Sequence, residues 1–214
     1  MDLYLIRHAQ SQNNALPEHQ RVADPGLTEL GHEQAARLAE RVRGLRLTRI
    51  ISSPFRRALQ TAEHLRRATG LVPEVRIALH ETGGCMDGVI PATMVGQPGL
   101  SRKEILAEFP DYQIEARIDG EGWWRSQPYE TNYQARRRAA QLLTDTRAEF
   151  AQSRERVAYV MHGDFQLLFI RRFHSIPLVL ASNSSITHVQ VSPEQTELID
   201  FNSVAHLTDG MVSW

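Results

Sequence analysis

Apolar positions along this chain fall into two alternating patterns. Residues 2–6 form a short, almost continuous apolar run that opens directly into Arg7 and His8. Residues 28–47 follow helical spacing, with Ala35, Leu38, Ala39 and Val42 recurring on one face after Thr28-Glu29-Leu30-Gly31, which predicts a helix. Residues 49–52 predict a short strand, stopped by Ser53-Pro54. Pro54 suits a first helical turn, and Ala58, Leu59, Ala62 and Leu65 continue as an apolar stripe until Gly70. Residues 75–79 predict a third strand, and 133–151 a long helix carrying Arg136, Arg137 and Arg138. Residues 157–161 predict a fourth strand, closed by His162-Gly163, and 165–173 a further helix. Residues 186–191 and 196–201 predict a closing hairpin around Ser192-Pro193-Glu194.

Strands that alternate with helices predict an α/β fold, a single domain over 1–214 with a mostly parallel central sheet flanked by helices. Residues 82–130 break the alternation, being rich in Gly and Pro with one short helix signal at 101–109. Such a stretch is too long for a passive loop in a compact domain. Loops after the C-terminal ends of parallel strands build the ligand crevice, so this stretch is expected to be an inserted lid segment over that edge.

Composition narrows the function. Across 214 residues, 24 Lys+Arg against 25 Asp+Glu leave a net charge of −1, so no bulk attraction to nucleic acid or an anionic membrane is expected. The one cysteine, Cys85, excludes an internal disulfide and a multi-thiolate metal site and suits a reducing compartment. It reads as a small buried hydrophobe. The longest apolar stretches, 167–170 and 176–181, fall far short of a membrane span, and the first apolar run is too short for a signal-peptide core. The expectation is a cytoplasmic protein in which the sequon Asn183-Ser184-Ser185 goes unused.

The predicted strand ends deliver the chemistry. The first gives Arg7-His8, the second leads to Arg56-Arg57, the third gives Glu81 and the fourth His162. In a doubly wound sheet these ends lie on one edge. Two histidines, an arginine and a carboxylate then converge, a set suited to phosphoryl transfer. Arginine meets a phosphate dianion with a planar fork, and a neutral imidazole can attack phosphorus. A second histidine, if protonated, adds positive charge beside the equatorial oxygens. A carboxylic acid can protonate the leaving oxygen. With arginine and histidine neutralising the charge, no metal and no other cofactor is predicted. The chain also has no Walker A loop, no HExxH and no acidic cluster with metal-ligand spacing.

At these residues the chain resembles the histidine phosphatase superfamily, the phosphoglycerate mutase-like family. Leu5-Ile6-Arg7-His8-Ala9-Gln10-Ser11-Gln12-Asn13-Asn14 is similar to its Arg-His-Gly-Glu-Thr-x-x-Asn motif. Leu27-Thr28-Glu29-Leu30-Gly31 with Gln34-Ala35 resembles its Leu-Thr-x-x-Gly-x-x-Gln-Ala segment, and residues 52–62 its Ser-x-x-x-x-Arg-Ala-x-x-Thr-Ala helix. Leu79-His80-Glu81 resembles the acid segment, and Val160-Met161-His162-Gly163 the second-histidine segment.

The resemblance implies a hydrolase, a metal-independent phosphatase acting on a small phosphorylated substrate through phosphohistidine. It makes His8 the nucleophile and sets Arg7, Arg57 and His162 on the phosphoryl oxygens, with Asn14 donating a further hydrogen bond. It makes Glu81 the proton donor and later the base that activates water, and leaves Arg56 a solvated neighbour. A phosphoglycerate mutase shares the first half of this chemistry, and a non-catalytic phosphate-binding module shares the recognition. Ala9, Gln10 and Asp164 depart from the family pattern. Asp164 either caps the helix before Phe165 or faces the site and favours a protonated His162. In the inserted stretch, Trp123 and Trp124 are candidates to pack on the substrate body, with Arg117 and Arg125 for a second anionic group.

Overall fold

The computed structural model describes residues 1–89 and 93–214. Its strands are β1 (Asp2–Arg7), β2 (Arg49–Ser52), β3 (Glu74–Val75), β4 (Met86–Asp87), β5 (Val95–Gly96), β6 (Gln113–Ile114), β7 (Arg156–Met161), β8 (Ile186–Val191) and β9 (Thr196–Ser203). Seven of them make one sheet in the order β6-β3-β2-β7-β1-β8-β9. The first five in that order pair in parallel, and β8 and β9 add antiparallel strands at one side. The helices are α1 (Gln12–Ala15), α2 (Glu29–Arg43), α3 (Arg56–Thr69), α4 (Arg102–Glu108), α5 (Asn132–Phe150) and α6 (Gly163–Ile170). The predicted α/β architecture, single-domain with a mostly parallel sheet between helices, is the one observed.

The continuous apolar runs of β1 and β7 follow from burial on both faces. Leu3, Leu5, Val157, Tyr159 and Met161 pack toward α5 and α6. Their alternates Tyr4, Ile6, Ala158 and Val160 pack toward α2 and α3, against Leu38, Val42, Ala62 and Leu65. Each fully buried aliphatic side chain contributes roughly 1.5–3 kcal/mol. The helix starts are legible in the sequence: Thr28 accepts from the Gly31 amide, and Thr131 with Gln134 forms a capping box on α5.

One expectation shifts. The third strand is only Glu74–Val75, and residues 77–79 form a 3₁₀ turn. The Ile77 amide donates to the Glu115 carboxylate rather than to a strand neighbour, so the ladder stops there. The stretch 82–130, of which residues 90–92 lie outside the described residues, builds a third apolar cluster of its own. Phe55 and Leu59 at the start of α3 and Val75 of β3 meet Cys85, Leu100, Ile105, Phe109, Ile118, Trp123 and Trp124 there.

Candidate active site

The C-terminal ends of the central parallel strands put the predicted residues together. His8 follows β1, His162 follows β7, and Arg57 stands in the first turn of α3, just beyond β2. The two imidazoles lie 5.0 Å apart between ring centroids. Glu81 arrives from the 3₁₀ turn instead of a strand end.

His8 is buried, and its Nδ1–H donates to the Ala9 carbonyl at 2.7 Å. Arg57 Nε donates to His8 Nε2 at 3.2 Å. Nε2 is therefore the unprotonated nitrogen, with its lone pair turned to a guanidinium. Burial, then Arg57 and Arg7, holds His8 well below the usual imidazole range. It is neutral at pH 7, as a nucleophile must be.

His162 is also held low, by burial and then by Arg57 and His8. Asp164 is not among the causes, and His162 itself occupies the cap position of α6. Both sequence readings of Asp164 are thus replaced: it is exposed in the first helical turn and acts on Glu81. His162 Nε2 lies 2.7 Å from Ser53 Oγ. The Phe55 amide donates to that oxygen at 3.4 Å; with the Ser53 hydroxyl donating to Nε2, the imidazole proton would sit on Nδ1. His162 then offers a neutral N–H rather than the positive charge expected of a protonated ring.

Among the described residues, His162 Nδ1 and Arg7 Nε are buried polar atoms without a hydrogen-bond partner. Each such orphan costs about 1–3 kcal/mol, and an anion within hydrogen-bond reach would satisfy it, given a proton on His162 Nδ1. Arg7 is anchored by a bond from Nη1 to the Ala181 carbonyl. A Cβ at Gly163 would stand 3.2 Å from Arg7 Nε, so glycine keeps that face clear.

Glu81 Oε1 accepts the amides of Thr82, at 2.8 Å, and Phe165, at 3.0 Å. Both bonds fall on one oxygen, which leaves Oε2 to carry a proton. Burial and then Asp164 raise the carboxyl above the usual range, against Arg57 and these two amides. That suits a general acid.

The departures have local explanations. Ala9 does not have positive φ, so the extra methyl is unstrained; it packs with Leu27 and Ala35. Gln10 accepts from the Thr28 hydroxyl at 2.7 Å and serves the start of α2. Asn14 holds the Trp214 carbonyl at 3.2 Å, and its Oδ1 accepts from the Ser11 amide and hydroxyl. Its observed partners are thus parts of the chain. Arg56 is not merely solvated but ion-paired with Glu108.

A cleft of about 160 Å³ opens beside Arg57 and Glu81, lined also by Arg21, Asn13, Met86 and Tyr129. Sequence spacing carried no signal for Arg21 as a wall residue, whereas Met86 and Tyr129 lie in the stretch expected to form a lid. Trp123 and Trp124 are 2% and 7% exposed. They line a separate cavity of about 440 Å³ with Arg117 and Arg125, and Tyr129 is the wall shared with the cleft. Trp123 touches the site through Phe55, which packs on both Trp123 and His162. The structure thus gathers the four expected specificity residues together, but in a cavity of their own. Asn183, of the sequon, is fully buried and donates to the His8 carbonyl at 3.1 Å. Sequence reasoning did not see it as a support for the His8 backbone.

The model for the histidine phosphatase superfamily (branch 1) matches residues 3–204. The chain belongs to that superfamily. Relatives include the probable phosphoglycerate mutase GpmB of Proteus mirabilis, 33% identical over 116 residues, covering 53% of this chain and 54% of that protein. The chain thus spans about half the length of that relative, and a third of the GpmB of Salmonella choleraesuis. Among solved structures, the mycobacterial glucosyl-3-phosphoglycerate phosphatase Rv2419c, in complex with VO3, superposes with a TM-score of 0.64 at 25% identity, covering 94% of this chain and 99% of that one. YhfR of Bacillus stearothermophilus, with a TM-score of 0.67 at 22% identity over 96% of this chain and 98% of that one, shares the fold.

Among the described residues no helix is long and apolar enough to cross a membrane.

Proposed function

We propose that this protein is a phosphomonoester hydrolase that works through a phosphohistidine on His8, without a metal. The observation that carries the reading is the neutral His8, its Nε2 lone pair facing Arg57, together with two buried nitrogens without a partner, Arg7 Nε and His162 Nδ1. In the first step Nε2 attacks phosphorus and the ester P–O bond breaks. Arg7, Arg57 and the His162 Nδ1–H hold the phosphoryl oxygens, and the second amide proton of Asn14 is assigned to the same group. The leaving oxygen takes its proton from Glu81. In the second step Glu81 takes a proton from water, the resulting hydroxide attacks phosphorus, and the N–P bond breaks to release phosphate. The glucosyl-3-phosphoglycerate phosphatase likeness supports hydrolysis of a small phosphorylated substrate. The GpmB likeness supports a mutase, in which the phosphoryl group returns from His8 to product.

One experiment tests the reading. Quenched during turnover of an aryl phosphate, the protein is expected to carry acid-labile phosphate on His8. His8→Ala is expected to lose at least about a thousandfold in rate. Label on His162, or near-normal turnover by His8→Ala, would overturn the assignment. A phosphoglycerate assay that reads free phosphate and isomerised product together separates hydrolase from mutase.

A further inference from the structure

Arg138 lies in the middle of α5, outside the residues that face the phosphoryl group, and its side chain is largely buried. Its Nε and Nη2 meet the two oxygens of Glu130 at 2.7 and 2.6 Å. Its Nη1 donates to the carbonyls of Ala78 at 2.8 Å and His80 at 2.9 Å. Those carbonyls belong to the turn that delivers Glu81. On its other side the guanidinium carbon sits 3.6 Å from the centroid of the Phe165 ring, and the Phe165 amide is one of the two donors that hold Glu81 Oε1. One planar group therefore ties down the backbone that leads into Glu81, at Ala78 and His80, and packs on the side chain of the residue whose amide holds the carboxyl, Phe165.

This arrangement is larger than a helix needs. An arginine serving only α5 would be met by Glu130 alone. The two carbonyls tie it to a 3₁₀ turn whose own ladder has stopped, at the point where the predicted third strand fails. We propose that Arg138 is the positioning residue of the general acid, setting where Glu81 Oε2 meets the leaving oxygen. The inference rests on the hydrolase reading above. A lysine cannot reproduce it, because one ammonium lacks the fork that spans a carboxylate and two carbonyls.

The decisive readout is the leaving group. A misplaced acid slows esters whose oxygen leaves only when protonated and spares those that leave unaided. Arg138→Lys and Arg138→Met are expected to lower kcat/KM on an alkyl phosphate by up to about 100-fold, the cost of a misplacement near 1 Å. An activated aryl phosphate is expected to change by less than about threefold, and the phosphohistidine trapped from it to match wild type. In a Glu81→Gln background, Arg138→Lys is expected to add no further loss on the alkyl ester, since both changes remove one function. Equal losses on the two esters, or additive losses in the double variant, would overturn the inference. If Arg138→Met does not fold by thermal melting, Arg138→Lys and Glu130→Gln decide. The two levels fail differently: wild type without phosphohistidine sinks the hydrolase reading, whereas wild type with it, and no leaving-group split in the variants, sinks only the role of Arg138.

Discussion

At the scale of single residues, burial decides which groups carry charge. His8 and His162 are kept neutral because burial takes an imidazolium out of water, and the Arg57 guanidinium beside both opposes a second positive charge. For such a histidine the unfolded chain binds protons first, so its contribution to stability is complete above about pH 6.5 and falls as pH drops below it. Asp24 runs the other way. Its Oδ1 accepts the Arg56 amide at 2.9 Å at the start of α3, its Oδ2 has no partner among the described residues, and burial lifts its carboxyl to about 6. A carboxyl raised in the folded state costs stability as pH climbs from about 4 to about 6. Asp24→Asn keeps an acceptor for that amide and removes the buried charge. It is expected to exceed wild type by about 1–2 kcal/mol at pH 8, with the gap closing by pH 4. Denaturant melts at the two pH values check it, and a variant no more stable at pH 8 would refute the assignment. For Glu81, the expectation is a split by leaving group. Glu81→Gln should leave an activated aryl phosphate nearly untouched and slow an alkyl phosphate by roughly 10²–10⁴-fold. Equal losses would remove Glu81 from the acid role.

At the scale of elements, the loop that carries His8 and Gln10 is held by α2 as well as by β1. A Cβ at Gly31 would come 2.0 Å from the Gln10 carbonyl, so α2 reaches the loop only because residue 31 has no side chain. Gln34 then accepts the Gln10 amide at 2.8 Å and donates to the Met211 carbonyl and the Ser213 hydroxyl. Gly31→Ala must push the loop or the helix aside, against backbone rather than a flexible side chain. The expected result is a stability loss of about 1–3 kcal/mol, typical of overpacking, with kcat falling on alkyl and aryl phosphates alike because His8 itself moves. A variant with wild-type melting and turnover would mean that this contact is looser than it stands. Cys85, by contrast, is buried with its thiol pushed up to about 12, which agrees with its reading as an inert small hydrophobe.

At the scale of the whole molecule, the inserted stretch builds a third apolar cluster with Phe55, Leu59 and Val75, while its Met86 and Tyr129 line the cleft beside Glu81. A path runs from Trp123 to Phe55 to His162, in ring contacts of 4.7 and 5.0 Å. Trp123→Ala is accordingly expected to destabilise the protein by about 3–5 kcal/mol, the cost of deleting a buried indole. Residual activity should fall uniformly across substrates. A selective change in kcat/KM for one substrate, with stability intact, would return Trp123 to the substrate-contact role that its composition suggested.

The sequence by itself determined most of the elements and the superfamily. Hydrophobic period, caps such as Thr28 and stops such as Gly70 are local, so β1, α2, β2, α3 and β7 stand within a few residues of their predicted places. Arg7, His8, Arg57 and His162 were legible because each adjoins an element whose end the pattern marks. Tertiary structure alone decided the rest. The third strand failed because Glu115, 38 residues away, takes the Ile77 amide. Arg138 stood in a run with Arg136 and Arg137 that spacing could not separate, and only the packing of α5 on the acid segment singles it out. The protonation of the histidines and the raised carboxyl of Glu81 also lie beyond local pattern, because a pKa depends on how much water and which distant charges the folded chain leaves around the group.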